Sequence, residues 1–155
     1  MKTKHLILAV LAAILLVSCE KVAPKEEIIP QTADYLGTVT VLYQDTPFDN
    51  DNIEVNFTPS EDGTTASITI YKIRFVPQMP VTIDVTIPNV ELNVTEDAIL
   101  LQCDQVVPLA MGGEFPRYTV TALTGSLQGD ALEFSLNFGD CPTSFRGVQT
   151  KGEAD

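Results

Sequence analysis

Between Tyr35 and Phe138 the chain repeatedly alternates apolar and polar residues, and a period of two leaves little to fold into except sheet. Ile53, Val55 and Phe57 alternate with Glu54, Asn56 and Thr58, and Ile68 and Ile70 with Ser67 and Thr69. Val81, Ile83, Val85 and Ile87 alternate with Thr82, Asp84 and Thr86. Leu132, Phe134, Leu136 and Phe138 do so with Glu133, Ser135 and Asn137. Successive side chains of a strand point to opposite faces, so each run has one dry face and one wet face, as half-buried antiparallel strands require. No stretch carries the 3.6-residue period of a long helix. After Ile70 the apolar parity slips to Ile73 and Phe75. That slip predicts a bulge at Tyr71-Lys72, a device that bends strands round barrel corners.

Turn chemistry punctuates these runs. Asp49-Asn50-Asp51-Asn52 is predicted to link the first two strands and Glu61-Asp62-Gly63 the next pair, followed later by Leu127-Gln128-Gly129-Asp130 and Gly139-Asp140. Thr95-Glu96-Asp97 reads as one short turn with Thr95 capping it. Asp104 to Arg117, with Pro108, Gly112-Gly113 and Pro116, reads as the longest irregular segment, of a kind that often shapes a site. About eight short strands over residues 34–149 predict an all-β domain, either a sandwich or an up-and-down barrel.

Ahead of the sheet pattern lies a different kind of segment. Two lysines and a histidine precede Leu6 to Val17, an unbroken apolar run of 12 residues. As a helix it spans about 18 Å, too short for a hydrocarbon core of ~30 Å, and it has the order of an export signal. Leu16-Val17-Ser18-Cys19 resembles a lipobox, so residues 1–18 are expected to be removed and Cys19 to carry the lipid that tethers the chain. Each buried methylene contributes about 0.8 kcal/mol, and two or three acyl chains hold stably where one is marginal. Residues 19–33 read as lipidated N-terminus and polar linker, with Pro24 and Pro30. Within it Lys25-Glu26-Glu27 resembles a surface-export signal set further than usual from the cysteine, and equally fits a solvated charge cluster. Residues 150–155 read as a tail.

Composition then excludes several functions. Without its first 18 residues the chain keeps seven of its nine basic residues, Lys2 and Lys4 being lost, against 21 acids, a net charge of about −14. Nucleic-acid binding needs clustered basic residues to displace counterions, and this balance speaks against it. The single histidine, His5, leaves with the signal, which removes Ser-His-Asp and Cys-His catalysis and histidine-ligated metal. Cys103 and Cys141 are expected to form a disulfide in an oxidising compartment, stabilising the fold by roughly 4 kcal/mol; two buried thiols are the alternative.

Tyr35-Leu36-Gly37, the Asp62-Gly63-Thr64 turn before Ile68 to Phe75, and the run from Met79 to Val90 resemble the calycin-like β-barrel lipoproteins of anaerobic Gram-negative gut bacteria. The resemblance covers nearly all of 34–149 and implies a lipocalin-type barrel of about eight antiparallel up-and-down strands in an outer-membrane lipoprotein, periplasmic or surface-facing. The departure from lipocalins is plain: they carry a tryptophan two residues after the first-strand glycine. Here Gly37 is followed by Thr38 and Val39, and the chain has no tryptophan. Arg146, near the last strand, is placed to close a barrel end.

Candidate sites follow from residue type. Asp49, Asp51 and Glu54 crowd oxygen ligands, but without an EF-hand's length or glycine they read as solvated, and no metal or cofactor is expected. Asp84 shares the parity of Thr82 and Thr86 and should face water. Tyr43, Phe57, Phe75, Tyr118 and Phe134 are the candidates to line a cavity, and a barrel of eight strands is either packed or holds one small ligand. The expected function is a non-enzymatic, membrane-anchored binding module for a small apolar or amphipathic ligand. The alternative is a packed barrel serving as a structural or protein-interaction lipoprotein whose partner is unknown.

Overall fold

A computed structural model describes residues 28–150. The signal segment, Cys19, the Lys25-Glu26-Glu27 cluster and residues 151–155 lie outside the described residues. Ten strands follow in chain order: β1 (Ala33–Tyr43), β2 (Thr46–Pro59), β3 (Thr65–Ile73), β4 (Ile83–Val94), β5 (Ile99–Val106), β6 (Leu109–Ala110), β7 (Gly113–Glu114), β8 (Val120–Gln128), β9 (Ala131–Phe138) and β10 (Cys141–Gln149). Each long strand pairs antiparallel with its neighbours in sequence, β5 reaching past the β6–β7 hairpin to β8. The β1–β10 and β3–β4 ladders complete the ring. Eight strands therefore form a closed up-and-down barrel, with β6–β7 as two extra strands laid against β4. This is the predicted architecture, and it is consistent with a calycin-like fold. Closure removes the unpaired edges that make open sheets associate, and every strand of the ring lies within 33–149.

The dry faces meet inside. Ile53, Val55, Phe57, Ile68, Ile70, Val85 and Ile87, with Leu132, Phe134, Leu136 and Phe138, are all buried there as the alternation requires. Tyr35, Phe57, Phe75, Phe138 and Phe145 are the largest fully buried side chains. At about 1.5–3 kcal/mol each, such residues are the main favourable contribution to the fold. The interior is thus packed by rings and branched side chains rather than left as a cup. Burial raises the Tyr35 hydroxyl above its ordinary pKa, with Asp130 adding to the rise. Where β1 crosses β10, Gly37 faces Gly147. A Cβ on Gly37 would land on the Arg146 carbonyl oxygen and the Gly147 Cα. The close approach of these two strands therefore depends on glycine.

Several turns match the sequence and several do not. Lys72 has φ of +59°, and the ladder jumps there from Ile70–Val85 to Ile73–Ile83, which is the predicted bulge. Asp84 faces out and accepts the Lys72 backbone N–H at 3.0 Å, so its carboxylate closes the bulge. The Glu61-Asp62-Gly63 turn is held by Asp62, which accepts bonds from Ser60 Oγ at 2.7 Å and from the Thr64 N–H and hydroxyl at 3.1 and 2.8 Å. Those bonds lower its pKa.

The first hairpin, by contrast, turns at Gln44-Asp45 and not at Asp49–Asn52. Gln44 and Asp45 have φ of +52° and +63°, a type I′ turn built without glycine. The polar run lies inside β2, where Asn52 at φ +58° marks a bulge opposite the Gly37/Val39 register shift. Asp49 and Asp51 are exposed on the outer wall and accept bonds from Thr40 and Thr38 at 2.7 and 3.3 Å. Among the described residues no group of three or more His, Cys, Asp or Glu gathers as a metal cluster would. Thr95 does cap the short β4–β5 turn as the sequence predicts: its hydroxyl accepts the Asp97 and Ala98 N–H groups at 3.3 and 3.1 Å. Asp104 to Arg117 is also more ordered than expected. β5 runs on to Val106, and β6–β7 form a tight hairpin before a single 3-10 turn at Pro116–Tyr118.

The barrel has two unlike ends. At one end lie the start of β1, the β2–β3, β4–β5 and β8–β9 turns and the end of β10, with Ile28, from the predicted linker, packed on the core. The other end gathers the β1–β2 and β9–β10 turns, the β3–β4 loop and the β5–β8 excursion. Residues leading toward the N-terminus therefore leave from the end opposite this second group.

Candidate mouth site

The second end holds an open, mostly apolar cavity of about 610 Å³, within the ~300–1,000 Å³ range of small-molecule sites. Its floor is Phe75. The bulge at Lys72 and the sharp exit from β3 turn this ring inward, where it is fully buried. Phe75 stacks on Tyr118 with ring centroids 4.1 Å apart and planes 11° from parallel, and meets Phe138 edge-on at 5.0 Å. Phe115 lies against Tyr118 at 5.4 Å. A continuous aromatic ladder thus runs from the rim, Phe115, into the core, Phe138.

Two lips flank this floor. One is the β3–β4 loop, carrying Val76, Met79 and Val81. It is clamped at its root by buried Asn50, which accepts the Arg74 N–H at 3.0 Å and donates to the Arg74 carbonyl at 3.2 Å. The Arg74 Nε then donates to the Met79 carbonyl, and the Phe75 N–H to the Met79 sulfur, both at 3.1 Å. The other lip is the tip of the β6–β7 hairpin, where Met111 has φ of +56° and 76% of its surface exposed. Left-handed backbone costs a non-glycine residue about 1–2 kcal/mol and is ordinarily left to Gly, Asn or Asp. An exposed methionine there serves neither turn nor core. Methionine's flexible thioether suits surfaces that adapt to what they hold.

Charge at the mouth is sparse. Arg117 and Asp140 are the charged residues in its lining. The Arg117 guanidinium sits 5.7 Å from the Tyr118 ring centre, and no carboxylate among the described residues is ion-paired with it. Tyr43 contributes its ring at the end of β1, its hydroxyl taking a 3.3 Å bond from Gln44 Nε2.

Of the five aromatic candidates, Tyr43, Phe75 and Tyr118 come together here. Phe57 and Phe134 do not: Phe57 lies in the core between Ala33 and Ile68, toward the far end, and Phe134 stacks on Phe145 at 5.4 Å. Phe134 and Phe145 also underlie a depression of about 520 Å³ on the outer wall, framed by Thr38, Thr40, Ser135, Ser144 and the exposed Arg146–Glu133 pair. Hydroxyls on a coiled wall frame it, and no described buried side-chain polar atom lacks a partner that a ligand there would supply. Arg146 thus sits on the wall and closes no barrel end. Met79, Val81, Met111, Phe115, Arg117 and Asp140 join the mouth without having been singled out as lining. Their signal was the Asp104–Arg117 segment itself, with Gly112-Gly113 marking the hairpin tip.

The expected disulfide is absent: Cys103 and Cys141 are both free. Cys103 lies on β5 and Cys141 heads β10, with β8 and β9 between them. Three strand spacings of ~4.8 Å place them roughly 14 Å apart round the wall, beyond the ~7 Å limit of Cα separation for a bridge. Burial raises both thiol pKa values, with Asp140 adding to the rise at Cys141. Half-buried Cys141, at the mouth, is therefore expected to take alkylating reagent without reductant, and buried Cys103 only on unfolding. Because thiolate is the reactive form and the pKa is raised, the rate should climb at higher pH than for free cysteine. Mass spectrometry across a pH series reads this directly; an unreactive native protein that gains two alkyl groups only after reduction would restore the disulfide.

No family model, curated protein or solved structure matches the chain.

Proposed function

We propose that this chain is an exported, lipid-anchored barrel of the calycin-like lipoprotein kind that binds a small apolar or amphipathic ligand at its mouth without catalysis. The observation that carries this reading is the cavity of about 610 Å³ over the Phe75–Tyr118 stack, open between the Met111 and Val81 lips. Ligand sites are commonly concave and apolar with few polar groups, and this one matches that description. The non-catalytic part is supported by the loss of His5 with the signal, and by Asp140 as the one carboxylate lining the mouth. A lipid on Cys19, in the outer membrane of a Gram-negative cell, would hold the chain from the end opposite the mouth and leave the mouth facing away.

The packed interior favours a second reading, in which the lips dock a protein. Met111 and Val81 expose 76% and 61% of their surface, an apolar rim that a protein surface would cover. Native mass spectrometry of the chain from Glu20 onward, purified from its own host, separates the two. A co-purifying small molecule supports the ligand site, and its loss when Phe115 and Met111 become serine would place it at the mouth. Bare mass under gentle conditions, with a protein recovered on the rim by crosslinking, would replace it with the docking role.

A further inference from the structure

We infer that the mouth takes a small anionic ligand bearing at least one ring, its apolar body between the lips and its negative charge at the Arg117 guanidinium. The inference rests on reading the mouth as a ligand site and goes on to state the charge and shape of what fills it.

The argument begins with where the cations are. Residues 28–150 hold four: Lys72, Arg74, Arg117 and Arg146. Arg146 is bonded to Glu133 on the wall, 3.5 Å away. The other three lie on the elements that build the mouth, Lys72 in the bulge, Arg74 at the root of one lip and Arg117 on the cavity lining. Acids stand at both ends, Asp34, Glu61, Asp62, Glu96, Asp97 and Asp130 at the far one and Asp45, Asp84, Asp104, Glu114 and Asp140 toward the mouth, but the far end carries no basic residue within 28–150. A barrel so acidic repels anions in general, so an anion is held only by a cation in direct reach and not by the field of the mouth as a whole. Arg74 spends its Nε on the Met79 carbonyl. Arg117 keeps its planar fork at the edge of the cavity, held over the Tyr118 ring and ion-paired with no described carboxylate. A guanidinium beside an apolar cavity suits a carboxylate, sulfate or phosphate attached to an apolar body.

Ring shape follows from the other lining groups. Phe115 and Tyr118 offer aromatic edges at the rim, and Met79 and Met111 offer thioethers, whose sulfurs favour contact with ring edges. Asp140, also in the lining, disfavours a second negative charge and accepts a hydrogen bond from a hydroxyl or amine.

Two fluorescent probes of similar shape test this on the chain from Glu20 onward, which holds the whole closed barrel. Anilinonaphthalene sulfonate is anionic and phenylnaphthylamine is neutral. Both are expected to bind one to one, the anionic probe more tightly. Arg117→Gln should weaken the anionic probe about fivefold, equivalent to ~1 kcal/mol, and leave the neutral probe within about twofold. Asp140→Asn should move the anionic probe the other way. Salt at ~1 M, where charges are screened beyond about 3 Å, should erase the difference between wild type and Arg117→Gln. If the neutral probe binds but Arg117→Gln leaves the anionic probe unchanged, the charge inference is overturned and the ligand site stands. If neither probe binds the wild-type chain, the ligand site itself is overturned.

Discussion

Gly37→Ala is expected to cost about 3 kcal/mol or more, lowering the thermal midpoint by roughly 10 °C. A single methyl has this effect because of where it points. Gly37 holds an inward position on β1 directly opposite Gly147 on β10, at the ladder that joins the first strand to the last. The new carbon meets the Arg146 carbonyl oxygen and the Gly147 Cα, which are backbone atoms with no rotamer to escape into. Relief requires the two strands to separate, and the hydrogen bonds that close the ring separate with them. Gly113→Ala is the control: an added carbon there meets nothing within 4 Å. Circular dichroism through a thermal ramp distinguishes the pair. A Gly37→Ala protein melting within a degree or two of wild type would show that β1 and β10 stand further apart than described.

Phe75→Ala is expected to destabilise by about 3–5 kcal/mol, as for other fully buried phenylalanines, and to abolish binding at the mouth. Phe75 is fully buried and touches two rings at once, stacked on Tyr118 and edge-on to Phe138. Its loss opens a void under the cavity and frees Tyr118 from the partner that orients it. Phe75→Leu refills much of the volume without the stack, so it should recover most of the stability while leaving probe binding impaired. Denaturant titration and probe affinity, measured on both variants, separate the packing role from the site role. Equal probe affinity in Phe75→Leu and wild type would mean the floor needs only bulk. Met111→Ala, an exposed change, should leave stability unaltered.

The barrel was legible because its information is repeated along the chain. Four alternating runs state an inward face, the third departing from it at Val81, which precedes β4 and is exposed, and the parity slip at Tyr71-Lys72 locates a bulge that the φ of Lys72 bears out. Other readings failed where the deciding information is not local. Asp49–Asn52 has the composition of a turn, yet the chain reverses at Gln44-Asp45 because that register keeps Val39 and Val41 buried opposite the remainder of β2. The β6–β7 hairpin was hidden because two-residue strands leave no periodicity to detect. Cys103 and Cys141 were paired on compartment and count alone. Which strands stand between two cysteines is a property of the closed ring and leaves no mark in either one's neighbourhood. The mouth was half legible for the same reason. Tyr43, Phe75 and Tyr118 stood out as rings, but Met111, Arg117 and Asp140 become neighbours only once four separate turns meet at one end.

Joining the first strand to the last also sets the order of events during folding. The Thr38–Arg146 contact closes a loop of roughly 100 residues, an entropic toll of about 4 kcal/mol if made alone from an open chain. The hairpins from β1 to β9 can each zip locally, but β1 has no second neighbour until Cys141–Gln149 is present. If the chain is exported as proposed, N-terminus first, that lone flank is exposed for the whole of its passage, a template for any other nascent sheet. The slow step should be this final seam, with a rate in the millisecond-to-second range of non-local β proteins, and it is the interval in which a holdase would matter most.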